Sequence, residues 1–204
     1  SRPVGEGATG NDSAENFGIG NDVSAPTTQA FDGLIDDVRV YNRVLSSDEI
    51  KRLYRIGATM KINKPSYTGL DSGLVGYWSF DGPDMAGNTA ADRSGQGNNG
   101  TLTNGPMRAV GRIGQALDFD GVDDYTSHGD VDAFDALGAL SACTWMKPGA
   151  ISNFQHIFGK TDSPVTSGWE LQSGGTSFGG SDDILVLLSG GSGTFGYTTG
   201  NFLS

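Results

Sequence analysis

Glycine supplies 33 of the 204 residues, more than twice the ordinary share of about 7%. No other feature constrains the chain as strongly. The glycines follow no Gly-X-Y period, so a collagen triple helix is excluded. They punctuate short apolar runs instead, which is the pattern of many short strands joined by frequent turns. The 3 Trp, 10 Phe and 6 Tyr provide core material that a disordered polymer lacks. A length of 204 residues suits one large all-β sandwich or two smaller units.

The net charge of -11, from 24 acidic and 13 basic residues, argues against a nucleic-acid backbone or an anionic membrane as partner. Divalent cations are the more natural companions. No apolar run approaches the roughly 20 residues that a membrane-spanning helix needs, and no stretch reads as a signal peptide. The chain begins at Ser1, so loss of a targeting leader is expected. Cys143 is the one cysteine and cannot form an internal disulfide. Its place in the strand-like run 140–145 suggests a small buried thiol.

Residues 34–42 alternate, with Leu34, Asp36, Val38 and Val40 on one face and Ile35, Asp37, Arg39 and Tyr41 on the other. The Val38/Val40 face is the better core candidate. That register puts Asp36 on the apolar side, where a carboxylate needs a partner. Ser46-Ser-Asp-Glu49 then reads as a capping box. Ile50, Leu53 and Tyr54 follow at helical spacing, which predicts one short amphipathic helix near 47–55, stopped at Gly57. Residues 58–72 lack either periodicity and contain Lys64-Pro-Ser66, so they read as a linker. A new strand is expected in Gly73-Leu-Val-Gly-Tyr-Trp-Ser-Phe80.

The ordered set of these pieces resembles the laminin-G-like (concanavalin A-like) β-sandwich family. The stretch Phe31–Tyr54 is similar to the family's C-terminal signature and Gly73–Gly82 to its opening strand. Ala91–Leu102 resembles the following Gly/Asn-rich loop, Gly114–Tyr125 a strand-turn-strand signature, and Leu140–Pro148 the central strand. His156–Lys160, Gly168–Gln172 and Asp183–Leu188 continue the ladder. The resemblance implies an all-β, antiparallel two-sheet jelly-roll sandwich with one short helix. Trp78, Phe80, Leu117, Phe119 and Trp145 are expected in the core. It also implies a reversed order: 1–57 as the tail of one module, 58–72 as linker, and 73–204 as the front of a second. Two closing strands of the family, one opening with Trp-His and one ending near Tyr-Val-Asp-Gly, have no counterpart in the sequence. The opening and closing strands are nevertheless expected to pair with each other.

No catalytic constellation is evident, and the chain reads as non-enzymatic. His128 and His156 lie in different segments without a nucleophile-elbow context. Asp123-Asp124 and Asp182-Asp183 are adjacent pairs, better suited to turns than to two carboxylates facing one cleft. The resemblance implies a structural Ca2+ tying the Asx-rich loop to the chain ends, with Asp36, Asp81, Asp92 and Asn98 as the matching residues. Oxygen-rich loops suit Ca2+, and Asp92 and Asn98 equally suit Asx turns; the residues alone support both readings.

Three functions follow as expectations. The first is a non-catalytic structural or adhesive module, extracellular or at the cell surface, in which neighbouring copies or adjacent modules of a repeat-built protein or filament supply the missing strands. The second is a carbohydrate-binding, lectin-like module, with Trp169, Tyr197 and Tyr125 as candidates to stack on a glycan. The third is an accessory domain of an enzyme.

Overall fold

A computed structural model of the chain describes residues 14–26, 29–58, 69–135, 138–149, 154–161, 168–173, 184–190 and 193–199, excluding the side chains of 57–58, 184–190 and 193–199. The strands are β1 (Phe17–Ile19), β2 (Asp32–Tyr41), β3 (Leu74–Trp78), β4 (Met85–Ala86), β5 (Thr89–Ala90), β6 (Gly100–Thr103), β7 (Met107–Val110), β8 (Gln115–Asp120), β9 (Tyr125–Ser127), β10 (Ser141–Pro148), β11 (His156–Thr161), β12 (Gly168–Ser173), β13 (Ile184–Gly190) and β14 (Gly193–Thr199). Among the described residues one α-helix, α1, spans Ser47–Ala58.

Every strand pairing is antiparallel. The larger sheet runs β14-β13-β12-β11-β1-β9-β6-β5-β4, and the smaller β10-β2-β8-β7 with β3 also on β2. Two such sheets bury their facing sides against each other. Phe17, Ile19, Ile157, Phe158 and Trp169 of the larger sheet meet Ile35, Val38, Val40, Leu117 and Phe119 of the smaller in one core. Trp78 lies 5.2 Å from Phe17 between ring centres, in stacked orientation. Of the expected core residues, Trp78, Phe80, Leu117 and Phe119 are buried.

The N-terminal strands take interior places. β1 sits between β9 and β11, while β2 pairs with β3, β8 and β10. The expected return of the later strand onto the earlier one is present, with Val38 opposite Trp78 and Arg39 opposite Tyr77. Strands from before and after residues 59–68 are therefore interleaved in both sheets.

The helix starts as its capping box predicts. Glu49 N donates to Ser46 Oγ at 3.4 Å, and Ser46 N donates to Glu49 Oε2 at 2.8 Å. Arg43 clamps the same carboxylate at 2.6 and 3.0 Å. That bond and those from Ser46 hold the Glu49 carboxyl down at about 2. The helix packs less broadly than its pattern suggests. Leu53 is buried with Tyr41, Leu45, Leu70, Leu74 and Tyr77 on the outer side of the smaller sheet, but Ile50 and Tyr54 are 55% and 62% exposed.

Candidate functional site

A backbone irregularity in β2 shapes a cleft on the smaller sheet. Residues 32–35 pair with β8 and residues 38–41 with β3, while the register against β10 shifts between Cys143 and Trp145. At this bulge Asp37 adopts φ +59°, a left-handed conformation uncommon outside glycine and somewhat more open to Asp and Asn. A bulge inserts one residue and reverses the facing of everything beyond it. Ile35 and Val38 both enter the core, three residues apart, so strict alternation across 34–42 fails. Asp36 is consequently not on the Val38/Val40 face, as the uninterrupted pattern predicted. Trp145, which pairs with Asp36, is likewise a correction: it is half-buried on the outer face rather than a core residue.

Asp37 is neutralised locally. Its carboxylate lies 2.8 Å from the Arg39 guanidinium, which is stacked 4.1 Å from the Tyr77 ring centre. Burial raises the Asp37 pKa, and Arg39 works against that rise.

Asp36 is only half satisfied. Its Oδ2 accepts from Ile113 N at 2.8 Å, and a Cβ at Gly111 would stand 2.6 Å from that same oxygen, so only glycine permits this close approach. Oδ1 is buried without a hydrogen-bond partner. Burial pushes the Asp36 pKa up to about 7, the amides of Ile113 and Arg112 opposing and the nearby Asp37 and Asp81 charges adding to the rise.

This carboxylate lines a cleft of about 250 Å³ with Leu34, Ala116, Arg112, Trp145 and Lys147. Arg112 lies 5.3 Å from the Trp145 ring centre, and the Tyr54 ring packs against the same indole at 5.5 Å. The cleft thus combines an aromatic wall, two cationic side chains and one unpartnered acceptor. Arg112, Lys147 and the Trp145–Tyr54 pair were not candidates from sequence. Their juxtaposition depends on the bulge, which alternation does not reveal.

The other expected site residues fall into separate places. Asp81 Oδ1 accepts from Gln115 N at 2.8 Å, so Asp36 and Asp81 brace the same β7–β8 hairpin. Asp92 organises a different loop: Oδ1 accepts from the amides of Tyr77 (3.0 Å) and Ser94 (2.8 Å), and Oδ2 from Ser94 Oγ (2.8 Å) and Asn98 N (3.0 Å). Asn98 donates to Val75 O at 2.9 Å, and its own carbonyl accepts from Trp78 Nε1 at 2.8 Å. The structure brings Asp36 to Asp81 and Asp92 to Asn98. Among the described residues, acidic side chains close enough to share an ion are Asp120, Asp123 and Asp124, and separately Asp130, Asp132 and Asp135. In the second group Asp130 and Asp135 hold the ammonium of Lys160.

Of the stacking candidates, Trp169 is 2% exposed and surrounded by Phe17, Phe134 and Phe158. It offers no ring face to a sugar. Tyr125 opens β9 and is half-buried. Tyr197 pairs with Val186 in the β13–β14 hairpin, and its side chain lies outside the described residues, as does the Asp182-Asp183 pair. His128 is buried against Phe17 and Trp78. Desolvation lowers its pKa to about 4, consistent with a structural imidazole bonded to Thr126 at 2.9 Å.

Two antiparallel sheets sharing one core, with one helix on the outside among the described residues, form a β-sandwich, consistent with the concanavalin A-like architecture. A family model described as the concanavalin A-like lectin/glucanases superfamily matches residues 1–51. The laminin-G-like resemblance read in Phe31–Tyr54 thus has independent support where the two overlap, over residues 31–51. No curated protein and no solved structure matches the chain.

Proposed function

We propose that the protein is a non-catalytic structural or adhesive β-sandwich module, working outside the cell or on its surface and joined to neighbouring copies or adjacent modules through strand pairing. The observation that supports this reading is the interior placement of β1 and β2, strands delivered into both sheets by a segment connected through a long intervening stretch. A sandwich assembled by such delivery suits repeat arrays in which one unit completes another. In addition, among the described residues β10 is paired on one side only, leaving an eight-residue edge for further pairing. Sedimentation velocity of the full chain across micromolar concentrations tests the idea. Association beyond the 21.2 kDa chain supports it, and a monomer throughout contradicts it.

Carbohydrate binding is a second reading, favoured by the cleft in which the Trp145 ring stands beside the unpartnered Asp36 oxygen. A sugar would stack on the indole and accept hydrogen bonds from the exposed Arg112 and Lys147. A glycan array with the wild type and Trp145→Ala separates the readings, because only a lectin gives Trp145-dependent signals. Structural calcium belongs to the same proposal and calls for chelation rather than mutation. Asp92 already accepts four hydrogen bonds, so Asp92→Ala destabilises the loop with or without an ion. A melting temperature lowered by EGTA supports calcium, and an unchanged one removes it.

A further inference from the structure

The core side of β12 carries Trp169 and Leu171, so Glu170 and Gln172 project from the opposite side of the larger sheet. His156 of β11 is the direct cross-strand partner of Gln172, and its Nδ1 lies 3.0 Å from Glu170 Oε2. Gln29 joins them through its carbonyl, which accepts from His156 N at 2.7 Å. A Cβ at Gly159, the partner of Glu170, would come within 2.6 Å of the Glu170 side chain, so the glycine is what lets the carboxylate lie across β11. His156, Glu170 and Gln172 are 1 to 2% exposed. Nevertheless His156 Nε2, Glu170 Oε1, Gln172 Oε1 and Gln29 Oε1 are all buried without a partner.

A buried polar atom without a partner is costly, and four on residues linked through the pairing of β11 call for a common cause. With the ring proton held on Nδ1 by Glu170, Nε2 presents a lone pair. The four atoms left without partners are then all acceptors. A carboxylate behind an imidazole whose other nitrogen is free is the arrangement that orients metal-bound histidine. We propose that the outer face of β11 and β12 binds a divalent cation of the Zn2+ class, ligated by His156 Nε2 and the amide oxygens of Gln172 and Gln29, with Glu170 as the positioning carboxylate. Mixed imidazole and oxygen donors suit Zn2+ and its transition-series neighbours better than Ca2+.

The experiment is calorimetric titration of ZnCl2 into the full chain carrying Cys143→Ala, which removes the one competing thiol, with folding checked by circular dichroism. One site is expected, lost in His156→Asn and weakened about 10- to 100-fold in Glu170→Gln. Co2+ in place of Zn2+ should give visible absorption that Glu170→Gln shifts. Absence of binding to the folded protein at millimolar Zn2+ overturns the proposal. Equal Zn2+ affinity in a folded His156→Asn variant also overturns it, and if that variant does not fold, unchanged affinity in Glu170→Gln does so instead.

Discussion

The two sides of β11 solve the same electrostatic problem in opposite ways. Toward the core, Lys160 is fully buried, yet its ammonium donates to Asp130 Oδ1 at 2.7 Å, to Val131 O at 3.3 Å and to Asp135. Burial alone would lower the Lys160 pKa, but the two carboxylates outweigh it and leave the value raised. Away from the core, the buried atoms of His156, Glu170 and Gln172 that lack a partner are all acceptors. One cluster carries its own cation within the chain, while the other has the shape of a site for a cation from outside. A cluster of buried polar groups is therefore informative only once its donors and acceptors have been counted against each other.

The largest effect expected from this contrast is on the Lys160 side. Lys160→Met leaves two carboxylates and a carbonyl without their cation, and should lower stability by about 3–5 kcal/mol in chemical denaturation. A loss under 1 kcal/mol would mean that the half-exposed carboxylates are solvated well enough without it. On the other side, the metal-free double variant His156→Leu/Glu170→Leu should be as stable as wild type or about 1–4 kcal/mol more stable, since apolar replacement of an unsatisfied buried pair is tolerated. A marked destabilisation would show that the pair is internally complete and that the two faces are not opposites.

Asp36 extends the contrast to the smaller sheet, and its pH dependence has a definite sign. Its pKa is about 7 in the folded protein against an ordinary 3.8, so between about pH 4 and 7 the folded state keeps a proton that the unfolded state has released. Stability from this group is highest at the acid end of that window and falls as pH rises through it. Asp36→Asn keeps an acceptor for Ile113 N and should raise stability at pH 8 by about 1–2 kcal/mol, with little change near pH 3. Equal effects at both pH values would remove burial as the cause. The smallest effect is expected at the helix cap, where Ser46→Ala should cost about 1 kcal/mol in the same denaturation assay.

These residues also mark where sequence reading succeeds and where it stops. The capping box was legible because its four residues are contiguous and its bonds are local. The β2–β3 pairing was legible because both strands carry clear apolar patterns on either side of an aperiodic stretch. The cleft was not legible. It depends on the single extra residue at Asp36–Asp37, which turns Trp145 out of the core and sets Asp36 beside Arg112 and Lys147. The His156 cluster was hidden for a related reason: residues 156, 170 and 29 are far apart in sequence, and only the register of β11 on β12 places them together.

If β1 and β2 are structural members of the same sandwich as β3–β14, native-state hydrogen exchange of their amides will report it. Val38 and Val40, bounded by β3 and β10, should exchange with the same opening free energy as Phe158 and Gly159 in β11, because all of them open only when the shared core unfolds. Fast exchange confined to β1 and β2, with β11 still protected, would show that they are not members of the shared core.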